Sequence, residues 1–305
     1  MPALNRALPL TLLALLFQPL IGWAIDLQPN DVVAPLPDKN YLMVSYVSTE
    51  NTNFYKNGSV VSAGAYKNPV INTNSAVLRG SRTYSIGDLP AVSYVQLPYT
   101  ITKPAGSLAA YPGNSGIGDL TFATAIWPYS NRETRTYLGI AGYLITPTGS
   151  YSGQRPLNVG ENRFKSDIQI GFQRPITESV DGVIAVDTMW FGGTSQCAAA
   201  CSPSLSPTSP TVPLAQKPLT TTQLGPIYNI NKIFTVGASY FYVAGGATAI
   251  NNVYQNNVVN TQRFLLSGLA HTPIGRFSLQ YGRDMEIKNG FYQPRVLAVR
   301  FAKEF

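Results

Sequence analysis

Charge, histidine and long apolar runs are all scarce in this 305-residue chain. Only 12% of residues are charged, and Lys and Arg do not gather into runs, so no nucleic-acid partner is expected. A single histidine, His271, and two cysteines, Cys197 and Cys201, supply too few soft ligands for a metal site, and no cofactor is implied. Beyond the first two dozen residues no apolar stretch approaches the roughly 20 residues that a membrane helix requires, which argues against the helical membrane classes. What is plentiful is Tyr (18), Phe (13) and Gly (26). A chain of this kind, near zero in mean hydropathy, still suits a membrane if it spans as strands, because only every second residue then faces lipid.

The first residues read as a secretory signal peptide over 1–24. Arg6 precedes an apolar stretch from Leu8 to Phe17, and Gly22-Trp23-Ala24 supplies small residues for cleavage after Ala24. The apolar core is too short for a retained anchor. Losing the leader removes Arg6, so the formal charge of +7 falls to +6, a mild basicity that solvated loop charge explains. In an exported chain, Cys197 and Cys201, separated by three alanines, are expected to form a local disulfide that pins a loop.

Alternation with a period of two organises the rest. In the stretch from Phe164 to Gln173, Phe164, Ile168, Ile170 and Phe172 fall on one face while Lys165, Asp167, Gln169 and Gln173 fall on the other. Similar segments recur at Tyr41–Thr49, Ala76–Ile86, Ala91–Ile101, Gly118–Tyr129, Arg135–Thr146, Asn162–Ile176, Gly182–Phe191, Leu219–Ile230, Ile233–Ala244, Thr261–Ala270, Gly275–Asp284 and Pro294–Phe305. That is about 12 segments, most near the 9 to 11 residues of a tilted membrane strand. Their connections alternate: short at Gly87–Pro90, Ser130–Glu133, Thr177–Asp181, Asn231–Lys232 and His271–Ile274, and long elsewhere, including Met285–Gln293. Short periplasmic turns and long external loops are the asymmetry of outer-membrane barrels.

The expected fold is therefore all-β: a transmembrane antiparallel up-and-down barrel of about 12 strands over residues 41–305, in the outer membrane of a Gram-negative bacterium. Closure leaves no free edge in lipid. The last segment places Leu297, Val299, Phe301 and Phe305 on one face and resembles the C-terminal signal read by barrel-insertion machinery. Lys303 interrupts that face but can snorkel at the periplasmic interface.

The order Gly116-Ile117-Gly118-Asp119-Leu120, then Pro147-Thr148-Gly149-Ser150-Tyr151, then Leu157 to Phe164 resembles the outer-membrane family named for the meta-pathway of phenol degradation. The match is firmest from Gly116 to Phe172. It implies an outer-membrane channel for passive uptake of small hydrophobic or aromatic solutes. Gly116 and Gly118 are read as freeing the backbone to turn into a strand, with Asp119 beginning a lumen-facing set, and Pro147-Thr148-Gly149 as a turn at the external rim.

With apolar residues facing lipid, Asp119, Lys165, Asp167, Gln169, Gln173, Asp187, Arg276, Gln280 and Arg300 are the expected lumen-lining residues. Asp167 or Asp187 pairing with Lys or Arg would stiffen the barrel; a polar constriction that orients a solute is the functional reading. Arg263 stays outside this set because Leu265 and Leu266 break the alternation. Residues 25–40, with Pro29, Pro35 and Pro37, read as a disordered tail or a plug. The Ser/Pro-rich loop around Cys197 is either flexible or an external capture loop. A serine hydrolase is disfavoured, since His271 falls in a periplasmic turn and no Gly-x-Ser-x-Gly occurs. The alternatives kept open are a structural or surface-interaction barrel with a closed lumen and ligand-binding external loops, and a soluble secreted β-protein. The expected partners are outer-membrane lipid and a small hydrophobic or aromatic solute.

Overall fold

The computed structural model describes residues 26–202 and 205–305; the signal-peptide reading of 1–24 lies outside them. Among the described residues twelve long antiparallel strands close into a barrel. They are β1 (Asn40–Lys56), β2 (Pro69–Ile86), β3 (Leu89–Gly106), β4 (Thr121–Asn131), β5 (Thr136–Ile145), β6 (Lys165–Pro175), β7 (Val180–Phe191), β8 (Leu219–Asn229), β9 (Phe234–Gly245), β10 (Val259–Thr272), β11 (Gly275–Ile287) and β12 (Gly290–Glu304). Each pairs with its neighbours in sequence, and β12 returns to β1 in a register running from Tyr41 opposite Glu304 to Thr49 opposite Val296.

Pleating sorts the side chains as the alternation requires. Ile168 and Ile170 on β6, Ile184 and Val186 on β7, and Leu279 and Tyr281 on β11 point outward and are exposed, whereas Lys165, Asp167, Gln169 and Gln173 are buried. On β12 the outward positions Leu297, Val299 and Phe301 are bracketed by Arg295 and Lys303. The eight rises from Arg295 to Lys303, at about 3.3 Å each, span about 26 Å along the strand, or about 20 Å of height at a tilt of about 40°, near the apolar belt of about 25 Å. A soluble sandwich has no use for such a belt around a closed wall. The architecture is that of an outer-membrane barrel, with both barrel ends of the chain on the side of the short turns.

Several strands outrun their expected bounds. β2 and β3 have 18 residues each, about 60 Å along the strand. They project beyond the apolar belt on the external side, where Asn72, Asn74 and Lys103 replace the apolar outward set. The expected long connection Met285–Gln293 is corrected to the pair 288–289, because β11 and β12 continue outward and turn at Gly290, whose φ is +119°. Residues 118–120 are also not strand; a short strand Asn114–Ile117 precedes them and β4 begins only at Thr121. Outside the barrel wall, Thr194–Cys197, Val212–Gln216, Thr248–Ile250 and Val253–Tyr254 form a four-stranded sheet of the external loops. Cys197 and Cys201 are joined by a disulfide and pack with Ala200 and Leu214 there.

Candidate functional site

Residues 26–35 run inside the barrel, held by side chains that the strands present inward, and 36–39 leave it at the periplasmic rim. Arg263 binds Asp26 at 2.5 Å. The Gln223 amide clasps the Leu27 backbone in both directions, accepting from its N–H at 3.1 Å and donating to its carbonyl at 2.9 Å. The Gln28 amide lies against Arg300 and Ser278, with its nitrogen 3.5 Å from Gln280 Oε1. Further along, Arg276 faces Asp31 at 3.7 Å, Trp127 donates to the Val32 carbonyl at 2.7 Å and Arg132 to that of Ala34 at 2.7 Å. Val32 and Ala34 pack with Trp127, Tyr137, Val183 and Ile227. Glycines on the wall make room for this segment: a Cβ on Gly237 would meet Pro29 at 2.9 Å, and one on Gly171 would meet Val32 at 3.1 Å.

Charge is thereby divided across the lumen. Arg263, Arg276 and Arg300, on β10, β11 and β12, bind the segment, and Arg79 on β2 bonds to Gln96 and lies 4.1 Å over the Tyr94 ring. The opposite wall carries Asp167 on β6 and Asp187 on β7, which stand beside each other. The stiffening pairs expected for these aspartates are corrected, since Arg263, Arg276 and Arg300 are taken up by the segment. Gln169 accepts from the Tyr143 hydroxyl at 2.9 Å, Gln173 donates toward Asp181 at 3.4 Å and Gln280 donates to Ser267 at 3.2 Å. Sequence reasoning missed Arg263. It faces inward, stacked 4.5 Å from the Phe241 ring, because Leu265 beside it also faces inward and joins Phe241 and Val296 in an apolar interior patch.

Asp119 and Lys165 belong to a different structure, a knot of loops at the external rim. The Asp119 carboxylate accepts from the Gly149 N–H at 2.9 Å and the Glu161 N–H at 3.0 Å, so it ties two loops instead of lining an open lumen. Burial pushes its pKa up, against the pull of those two N–H groups. Here glycine is required for close approach: a Cβ on Gly149 would lie 2.7 Å from Asp119 Oδ1, and one on Gly160 would lie 2.7 Å from the Gly149 carbonyl carbon. Pro147-Thr148-Gly149 does turn at the rim, with the Thr148 N–H bonded to the Thr146 carbonyl at 2.8 Å, and Gly149 has a packing role besides. Glu161 accepts from Arg163 at 2.6 Å and Lys165 at 2.5 Å, all three side chains being buried. Burial alone would push the Glu161 carboxyl up, yet the two cations hold it down to about 2. Arg163 also stacks 4.8 Å from the Phe191 ring.

Two spaces or surfaces suit a solute. A cavity of about 1160 Å³ extends from Tyr94, Tyr143 and Gln169 past Trp127 and Tyr137 to the periplasmic turns at Arg132, Lys232 and Pro273. Externally, Phe54, Tyr66, Ile71, Leu108, Leu157, Leu205 and Phe291 gather into an apolar cluster built from several loops and the outer ends of β1, β2 and β12. Its aromatic centre has Phe54 4.5 Å from Tyr66 and 5.1 Å from Phe291, ring to ring. His271 sits at the periplasmic end of β10, opposite Arg276.

The same fold occurs in the COG4313 outer membrane channel from Pseudomonas putida F1, with 24% identity and a TM-score of 0.83 over 92% of this chain and 100% of that one. The β domain of the Bordetella autotransporter BrkA is more distant, at 10% identity and a TM-score of 0.52 over 88% of this chain and 100% of that one. No curated protein matches the chain. Residues 49–301 match the family model described as "Putative MetA-pathway of phenol degradation", and the chain belongs to that family.

Proposed function

We propose that this barrel carries small hydrophobic or aromatic solutes passively across the outer membrane, entering past the external apolar cluster and leaving through the periplasmic cavity. The observation that carries this reading is the cavity itself: its walls set aromatic faces, Tyr94, Trp127, Tyr137 and Tyr143, among charged and polar side chains such as Arg79, Arg132, Arg276 and Gln169. Aromatic walls with placed polar groups are what small-molecule sites use to hold and orient a solute. Family membership and the likeness to a protein named as an outer membrane channel support it. Uptake of an aromatic growth substrate is expected to slow in a deletion strain. Unchanged uptake across a panel of such compounds refutes the solute class and leaves the barrel standing.

A second reading is favoured by the bonded segment 26–39: a barrel whose lumen stays shut and whose external loops contact ligands. Planar-bilayer recordings separate the two. A protein that stays electrically silent until the segment is removed supports the closed barrel.

A further inference from the structure

Passage of uncharged aromatics leaves the charge of the cavity wall without a use. Among the described residues that line it, seven carry a positive side chain and four a carboxylate. Each of those carboxylates already has a cation at ion-pair distance, Asp26 at Arg263 and Asp31 at Arg276 among them. Arg300 has no carboxylate at that distance among the described residues; the group against it is the uncharged Gln28 amide. Strand register sets two of the arginines on either side of β1. Arg300 on β12 stands opposite Ser45, and Arg79 on β2 stands opposite Met43, the adjacent inward residue of β1. Gln96 fixes the Arg79 guanidinium through Nε and Nη2, at 2.9 and 2.6 Å, with its carbon 4.1 Å over the Tyr94 ring. Between the two arginines lies Ser45, only 4% exposed, whose hydroxyl has no hydrogen-bond partner among the described residues. A buried hydroxyl left without a partner is costly, which makes it an independent sign of a ligand here.

We propose that the cavity takes an aromatic carboxylate, an inference that rests on the channel reading and narrows its solute. The carboxylate accepts from Arg300, Arg79 and the Ser45 hydroxyl, and the ring lies against Tyr94 and Tyr143, whose own rings are 6.3 Å apart. A guanidinium fork matches a planar carboxylate in shape as well as charge. An uncharged hydrocarbon has nothing to offer these cations in return for the water it displaces from them. Asp167 and Asp187, on the facing strands β6 and β7 and outside the cavity lining, repel the anion toward the arginines.

Isothermal titration of benzoate into the detergent-purified full barrel tests this, with empty micelles as the blank and with benzyl alcohol and acetate as the uncharged and the non-aromatic comparisons. Wild-type protein should bind benzoate saturably and about tenfold tighter than either. Arg300→Gln should weaken benzoate binding by about tenfold to 100-fold, as loss of a charged hydrogen bond does, and leave benzyl alcohol unchanged. Arg174→Gln, exposed on the lipid-facing side of β6, should alter neither. Mobility of unheated samples on gels verifies barrel closure in each variant. If Arg300→Gln does not fold, Ser45→Ala decides, because it removes a single hydroxyl and should weaken benzoate about tenfold. The carboxylate site is overturned by absent benzoate binding in wild type, by equal affinity for benzyl alcohol or acetate, or by equal benzoate affinity in wild type and these variants. Uptake of uncharged aromatics by the deletion strain is read separately, so a barrel that carries those solutes and does not bind benzoate loses the carboxylate site and keeps its channel role.

Discussion

Glu161→Gln tests the reasoning about the external knot. The substitution keeps size and hydrogen-bonding capacity but leaves Arg163 and Lys165, 2% and 3% exposed, without their counter-charge. Two routes give the magnitude. Breaking a buried pair by removing one partner costs about 3 to 5 kcal/mol. Independently, moving the carboxyl from 4.5 to about 2 corresponds to about 3 kcal/mol of linkage. The effect is local, since the knot joins loops and the barrel wall is closed without it. Local opening should expose the Arg163–Phe164 bond to trypsin, whereas Lys165–Ser166 lies in the β6 wall and Arg155 precedes Pro156, so both resist it. About 3 kcal/mol predicts cleavage at Arg163–Phe164 about 100-fold faster in the variant, read by mass spectrometry of timed digests. Equal rates in the two proteins would refute the claim that Glu161 holds the knot. Because the folded-state pKa lies below the unfolded one, this stabilisation is complete above about pH 4.5 and is lost as pH falls toward about 2. Hydrogen exchange in residues 146–164, corrected for intrinsic rates, should rise across that window.

Other perturbations follow from the same packing. Gly149→Ala drives a Cβ into Asp119 and should cost about 1 to 3 kcal/mol as overpacking, lowering the yield of folded barrel; Gly142→Ala, with open space around it, should be neutral. Deleting residues 26–36 should raise single-channel conductance several-fold at unchanged barrel mobility on gels; an unaltered conductance would show that the segment does not set the aperture. Replacing Cys197 and Cys201 by Ser opens a bridge of sequence separation 4, worth about 2 kcal/mol by chain entropy. That loss should stay in loop 192–218, so thermal unfolding of the barrel should hardly shift while proteolysis of the loop accelerates.

Twelve strands, their turns and the inward or outward sense of most side chains were legible because a membrane wall imposes period-two alternation on every strand. Where the rule of apolar outward and polar inward failed, a tertiary reason is visible. Leu265 and Phe241 face inward because the lumen has an apolar patch of its own, and that hid Arg263. Asp119 was recognised by its motif but misplaced, since only the approach of Gly149 and Glu161, 30 and 42 residues away in sequence, gives its carboxylate a purpose. Strand ends also escaped, because alternation stops marking a strand once it leaves lipid and both faces meet water or loops.

By itself the sequence determined the barrel, its strand number and the β12 strand that closes it on β1, because lipid permits few ways to satisfy a backbone and each leaves a local pattern. Only the tertiary structure decided that residues 26–35 run through the lumen, that Arg263, Arg276 and Arg300 hold that segment, and that Asp167 and Asp187 meet on one wall. Those outcomes depend on closure of the wall and on strand register, which bring together residues that no local pattern connects.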